Sequence, residues 1–353
     1  MARKLTLPFL LLLILAGMSK LHAQDPRFSQ FYAAPLQVNP AMIGVYEGKF
    51  RVALNYRDLY SSILGNQPFR TIAASFDMRY RVVSGDYVGF GISALRDDAG
   101  IANFNRTQGQ LGVSFMKKLG GNRYSTSDQF LVAGAQLGAG QIGSDWGKLW
   151  FSPQFNEEDA LIDQSLDNGE GNLTGNQTDI FLDFNAGLMW YALFDENSSI
   201  YLGGSLHHIN QPDISFFENG EAQLDMRWSG MAGGEVPFND NLSLLPAVLV
   251  MGQGQSMSTT AGANFRYRNR EWRELALRIG LWGHVSNQLE SEMGLDAVVV
   301  TAVLEMERWN LGLSYDITTS ALSEANNSRG AFEISLIYTH PEKTRYRVNC
   351  PNF

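Results

Sequence analysis

From Lys49 almost to its C-terminal end the chain alternates apolar and polar residues with a period of two. In Phe50-Arg51-Val52-Ala53-Leu54-Asn55-Tyr56-Arg57 one set of alternate positions is wholly apolar, and the other is Arg, Ala, Asn, Arg. Side chains of a strand point to opposite faces in turn, so such a segment has one oily side and one wet side. The pattern recurs with Ile72, Ala74, Phe76 and Met78 against Thr71, Ala73, Ser75, Asp77 and Arg79, and in strands carrying Val88 to Ala94, Leu111 to Phe115 and Phe130 to Ala139. It is especially regular in Leu182, Phe184, Ala186, Leu188 and Trp190 against Asp183, Asn185, Gly187 and Met189. Further strands are predicted over Ile200 to His207, Leu224 to Gly233, Leu242 to Met251, Thr259 to Tyr267, Leu275 to Trp282, Trp309 to Ile317 and Phe332 to Thr339. Ala297 to Leu304 is apolar on both faces, so its register cannot be read, and Pro246 inside a strand predicts a bulge or a break.

About 14 such strands, an even number, predict an all-β transmembrane barrel of an outer membrane, with antiparallel strands facing lipid outside and water inside. The connections support it. If both termini are periplasmic, the inner turns, such as Val82 to Asp86, Pro237 to Asn241 and Glu305 to Arg308, are short, whereas the outer Ile142 to Gln177 is long. A soluble β-sandwich predicts no such asymmetry.

Ahead of the strands, Arg3 and Lys4 followed by the apolar run Leu5 to Met18 and by Leu21-His22-Ala23 read as a signal peptide over residues 1–23, cleaved before Gln24. The run is shorter than the roughly 20 residues a spanning helix needs, and no Cys follows it to invite lipoprotein processing. Residues 24–48 lack alternation and carry Pro26, Pro35, Pro40 and Gly44. They are too apolar, with Phe28, Phe31, Tyr32, Leu36 and Met42, for a solvated tail, and are expected in or under the barrel. The barrel is expected over residues 49–339, and His340 to Phe353 as a periplasmic or lumen-side tail. Arg345, Arg347, Asn349 and Pro351 are not the alternating apolar residues of a terminal assembly signal, which leaves that role to the Phe332 to Tyr338 face.

The formal net charge of −9 argues against nucleic acid, which requires clustered Lys and Arg. Mean hydropathy of −0.15 suits a barrel, of which only alternate residues meet lipid. The 7 Trp, 13 Tyr and 21 Phe fit interfacial girdles.

Candidate chemistry is sparse. His207, His208, His284 and His340 are the histidines beyond the signal. His207 and His208, adjacent at a strand end, are expected on opposite faces, unable to share one metal. No nucleophile elbow or zinc-protease helix motif is present, so no catalytic residue, cofactor or metal is assigned. Asp163-x-Ser165-x-Asp167, in a stretch with Glu157, Glu158, Asp159 and Glu170, has the start of a calcium loop, but its Gly is displaced to Gly169 and Thr174 stands where the loop needs Glu. A solvated loop is the simpler reading. Cys350, the single cysteine, cannot form an internal disulfide. Lumenal charges such as Arg51, Asp77, Arg79, Glu274 and Arg278 suit either an open pore or a plugged barrel.

Several passages together resemble the PorP/SprF family of type IX secretion outer-membrane proteins. They are Gln24-Asp25-Pro26-Arg27-Phe28-Ser29-Gln30-Phe31-Tyr32 with Pro35-Leu36 and Asn39-Pro40-Ala41 to Gly44; Asn55-Tyr56-Arg57; Ser75-Phe76-Asp77; Phe184-Asn185-Ala186-Gly187-Leu188; His208-Ile209-Asn210-Gln211-Pro212; Leu313-Ser314-Tyr315-Asp316-Ile317; Glu333-Ile334-Ser335-Leu336; and Asn349-Cys350-Pro351-Asn352-Phe353. The resemblance spans the chain beyond the signal, in order. It implies a non-enzymatic barrel in the outer membrane of a Bacteroidetes cell, serving a protein secretion and gliding machinery. Its implied partners are type IX secretion components of the periplasm or outer membrane, and an exported surface protein or adhesin that it helps deliver or anchor. Asp25, Pro26, Phe28, Ser29, Gln30, Asn39, Pro40, Gly44 and Cys350 are the motif positions it marks as candidates for partner binding. The alternative is an autonomous pore for small solutes, and the two readings part on whether residues 24–48 fill the lumen.

Overall fold

The computed structural model describes residues 24–65, 69–83, 85–120, 127–156, 161–169, 175–195, 197–218, 222–269, 275–287, 293–342 and 350–353. The signal peptide, Glu157 to Asp159, Glu170, Thr174, Glu274, Arg345, Arg347 and Asn349 lie outside the described residues.

Fourteen antiparallel strands close into a barrel. They are β1 Phe50–Leu59, β2 Phe69–Val83, β3 Asp86–Ala99, β4 Phe104–Gly120, β5 Asp128–Gly143, β6 Phe181–Asp195, β7 Ser198–His207, β8 Arg227–Pro237, β9 Leu242–Gln253, β10 Ser256–Arg268, β11 Leu275–Asn287, β12 Met293–Met306, β13 Trp309–Thr318 and β14 Arg329–His340. Each pairs with its neighbours in sequence, and β1 closes on β14 from Phe50 opposite His340 to Leu59 opposite Ala331, which leaves no free edge. The predicted faces hold: Leu54, Ile72, Phe90, Leu111, Leu188 and Ile279 are exposed on the outside, while Arg51, Asn55, Asp77, Ser93, Gln110, Asp183 and Arg278 are buried inside.

Pro246 neither breaks nor bulges its strand. β9 keeps one register against β8, and the ladder only lapses opposite Pro246 and Leu245 before resuming at Val236 opposite Leu244. The missing N–H of proline costs a local gap in one ladder, and the unbroken pairing with β10 carries the strand through.

The described residues of the longer connections, 60–65, 144–156, 161–169, 175–180, 208–218, 222–226 and 319–328, gather at one mouth, although the tight turn 254–255 is there too. The opposite mouth has short turns at 238–241 and 307–308.

Residues 24–48 run down the lumen as a plug. It starts at the long-loop mouth, where Asp25 meets Arg106, Arg227 and Gln253, and ends at the short-turn mouth, where Lys49 N–H donates to the His340 carbonyl. Three single helical turns, Phe31–Ala33, Pro35–Val38 and Pro40–Met42, keep it compact. Pro35 and Pro40 open the last two, where a missing N–H costs no helical bond.

The plug explains why the alternation of β12 was unreadable. Val299 and Val303 point inward into an apolar core with Phe31, Tyr32, Trp282, Leu249, Met189 and Tyr191, while Val300 faces out. The middle of the lumen is thus apolar, not polar as a water-filled barrel requires. The Phe31 ring meets Trp282 edge-on at 5.5 Å.

Candidate functional site

The plug is held at three levels by charged or polar wall residues. At the long-loop mouth Asp25 accepts from Arg106, from Arg227 at 2.8 Å and from His208 Nε2 at 2.7 Å. Its own N–H donates to Gln253 Oε1 at 2.8 Å. The other nitrogen of His208 lies 2.8 Å from Asp183. Carboxylates only accept, so both ring nitrogens donate and the imidazole is charged. Burial alone would raise the Asp25 pKa, but Arg106 and Arg227 outweigh it and hold the carboxyl well below the usual range.

This geometry corrects one sequence expectation. His207 and His208 do not face opposite sides of the wall, because His208 has left the strand with φ +56° and both side chains are buried in the lumen. His207 Nε2 instead meets the Val38 carbonyl of the plug at 3.1 Å.

Just inside the long-loop mouth Glu333 accepts the N–H of Ser29 at 2.6 Å and of Gln30 at 2.9 Å. Arg57 bridges Glu333 and Asp316, the latter at 2.9 Å, while Ser29 Oγ donates to Asp316 at 2.8 Å. A bent backbone is thereby fastened by charge-assisted bonds to buried side chains. Asn39 then caps its own turn through Ala41 N–H at 2.8 Å and donates to the Leu188 and Gly204 carbonyls of the wall. At the short-turn mouth Gly44, at φ +77°, donates its N–H to Asp77 at 2.8 Å. Asp77 also receives the Arg51 guanidinium at 3.0 and 2.9 Å.

Two wall glycines make room for this packing. A Cβ on Gly134 would strike the Pro40 backbone, and one on Gly187 would strike Asn39. The C-terminal residues close the same mouth: Asn352 donates to Glu235 at 2.6 Å, Arg278 donates to the Phe353 carbonyl, and the Phe353 ring packs on Tyr201 at 4.9 Å. Cys350 is buried there, 3.1 Å from an Arg79 nitrogen. Residues 350–353 therefore sit on the lumen side.

Every motif that carried the family resemblance contributes to this plug-and-wall interface. Phe28, Ser29, Gln30, Asn39, Pro40 and Cys350 are buried, and Asp25, Pro26 and Gly44 are seated with them. Asp25, Ser29, Gln30, Asn39, Gly44 and Cys350 already have polar partners within the chain. The wall partners Arg57, Asp77, His208, Asp316 and Glu333 lie in the same passages, and Asp183 immediately precedes one, but none is among the candidates for partner binding. Their signal was an ionisable residue at an inward strand position. Among the described residues no cluster of three metal-ligating side chains occurs. Asp163 Oδ1 is engaged by Ser165 N–H at 2.9 Å and by its hydroxyl at 2.6 Å, a local turn on the surface.

Among solved structures, a deletion mutant of the TodX monoaromatic hydrocarbon channel superposes with a TM-score of 0.50 at 10% identity, covering 88% of this chain and 94% of that one. The CymD monoaromatic hydrocarbon channel gives 0.44 at 12% identity, covering 93% and 97%. At 10% identity the likeness to the TodX channel is one of fold. No curated protein matches the chain. The family model of the type IX secretion system membrane protein PorP/SprF matches residues 20–338, and the chain belongs to that family, as an outer-membrane β-barrel of the type IX secretion system.

Proposed function

We propose that this barrel works as a plugged docking protein of the secretion and gliding machinery, binding an exported surface protein or adhesin and helping to deliver or anchor it, and not as a solute pore or an enzyme. The observation that carries the reading is the plug: residues 24–48 fill the lumen with an apolar core and three sets of polar anchors. A lumen so filled offers no diffusion path, and the polar groups that anchor the plug are spent on internal bonds. Recognition then falls to what remains outside it, since loops carry binding while the wall stays paired in lipid.

In this reading the signal peptide is removed before Gln24, the long-loop mouth faces the outside of the cell, and the outer loops, above all 144–180, engage the exported protein. The short-turn mouth faces periplasmic components. The buried motif residues act indirectly, by fixing the plug. With Asp25 seated at the long-loop mouth, the surface left to periplasmic components is the vicinity of 44–49 and residues 350–353.

Deleting the gene should deplete particular surface proteins while leaving small-solute uptake intact, and the purified protein should show no steady single-channel conductance. A lowered solute permeability with an unchanged surface proteome would give the function to the pore reading.

A further inference from the structure

Beside the head of the plug, the long-loop mouth retains a cavity of about 470 Å³, within the usual size range of small-ligand sites. Residues 24–27 form one wall, and Thr71, Asp97, His284, Asp296 and Asp316 are among those lining the rest. Two lining side chains, each more than nine-tenths buried, keep a polar atom without a partner among the described residues: Asp316 Oδ1 and His284 Nε2. His284 Nδ1 is fixed by Thr260 at 2.7 Å, so the free nitrogen is held in place. Buried polar atoms cost about 1–3 kcal/mol each when unsatisfied, and a ligand in this cavity that engaged these two would relieve that cost.

Charge selects what fills it. In and just behind the lining stand six carboxylates, Asp25, Asp97, Asp183, Asp296, Asp316 and Glu333, against four guanidiniums, Arg27, Arg57, Arg106 and Arg227, and the His208 imidazole. The balance is negative with His208 charged. Asp97 in particular has the Thr71 hydroxyl as its hydrogen-bond donor and forms no ion pair among the described residues. Tyr60 and Phe69 also line the cavity, their rings edge to face at 6.4 Å, and Tyr60 is kept at φ +61°, a conformation that costs a non-glycine residue energy. Carboxylates joined to aromatic faces are a cation's surroundings.

We propose that this cavity binds a guanidinium or primary ammonium group, with Asp97 and Asp316 Oδ1 accepting its N–H donors and Tyr60 offering a ring face. The inference rests on the mouth itself and stands whether or not the docking reading does. The same chemistry is offered by an Arg or Lys side chain of a docking polypeptide and by a free amine.

Titration calorimetry on the full-length protein in detergent micelles tests it with three probes: N-acetylarginine amide, agmatine, and N-acetylcitrulline amide, which keeps the shape of the first without its charge. Saturable binding of the arginine probe is expected, with the citrulline probe at least about tenfold weaker, the size of a lost hydrogen bond to a charged group. Asp97→Asn should weaken the arginine probe about tenfold and leave thermal unfolding unchanged, since Asp97 takes no part in the plug anchors. Tighter binding of N-acetylarginine amide than of agmatine points to a polypeptide side chain, and the reverse to a free amine. No saturable heat with either cation, or equal binding of the citrulline probe, overturns the proposal without requiring any variant to fold.

Discussion

Asp25 and His208 lie 2.7 Å apart though 183 positions separate them, and the same imidazole reaches Asp183 on its far side at 2.8 Å. The head of the plug is thus tied to the wall by a charged histidine held between two carboxylates. Burial pulls the His208 pKa down, but its bonds to Asp183 and Asp25 outweigh that and leave it raised. Its contribution is complete below its unfolded pKa of about 6.5 and is lost as pH rises through the raised folded value. Asp25 has the opposite sign: its carboxyl is held low, so its contribution is present above about 3.9 and is lost as pH falls through the depressed value. A spin label at residue 24, in a Cys350→Ser background, should be least mobile in mildly acidic solution. It should loosen on alkalinisation, and His208→Gln should flatten that alkaline limb. A label equally mobile at all pH values would show that this contact does not hold the plug.

Glu333 fastens two consecutive plug amides and one arginine. Glu333→Leu removes all of those acceptors and leaves buried donors unpaired, which should cost about 3–5 kcal/mol. Glu333→Gln keeps one carbonyl oxygen for an amide, and Arg57 retains Asp316, so the loss should be clearly smaller. Urea unfolding of the two variants in micelles ranks them. Equal losses would mean that the negative charge, which Gln lacks, and not one retained carbonyl acceptor, is what the site requires.

The outward half of this structure was legible in the sequence and the inward half only in part. Leu182, Phe184 and Leu188 meet lipid whatever the lumen holds, so their alternation with Asp183 and Asn185 survives in the sequence. Val299, Trp282 and Met189 face a plug contributed by a segment far away in the chain, and a local pattern carries no trace of that partner. His208 was misplaced for a related reason: extrapolating the strand's period past His207 ignored the left-handed turn that swings it inward. The β8 strand likewise begins at Arg227 and not at Leu224, because Leu224 is occupied in the loop, its N–H donating to the Pro212 carbonyl at 2.9 Å. The motif passages contain Ser29, Gly44, Asp77 and Glu333, while their pairing, Ser29 with Glu333 or Gly44 with Asp77, needed the closed barrel.

Cys350 is placed near the end of the chain, where exposure is the ordinary expectation, yet it is buried beside Arg79 and Tyr191. Burial pushes the thiol pKa up, and the opposing Arg79 does not cancel that shift. The thiolate is the reactive form, so maleimide should label native protein slowly and denatured protein fully. Crosslinking from Cys350 then captures a partner only if the short-turn mouth opens. Rapid native labelling would show that the C-terminal residues leave the lumen.

Gly187 and Leu188 are neighbours on β6 whose substitution should fail in opposite ways. Gly187 faces the plug so closely that any Cβ strikes Asn39, so Gly187→Val overpacks the contact at a cost of about 1–3 kcal/mol. The strand ladder through Gly187, opposite Gly134 and Ser205, is unaffected. The barrel should therefore assemble, with its plug displaced and channel openings that the parent protein lacks. Leu188 is 53% exposed on the lipid side, and Leu188→Arg should cost roughly 2–4 kcal/mol if it lies near the midplane, reducing assembly without unseating the plug. Gly230→Ala, with nothing within 4 Å of its Cβ position, serves as the silent control. Planar-bilayer conductance and yield of folded protein, read together, separate the two failures. A closed Gly187→Val barrel of normal yield would mean that Asn39 has room to move aside, and a normal yield of Leu188→Arg would mean that this face does not meet lipid.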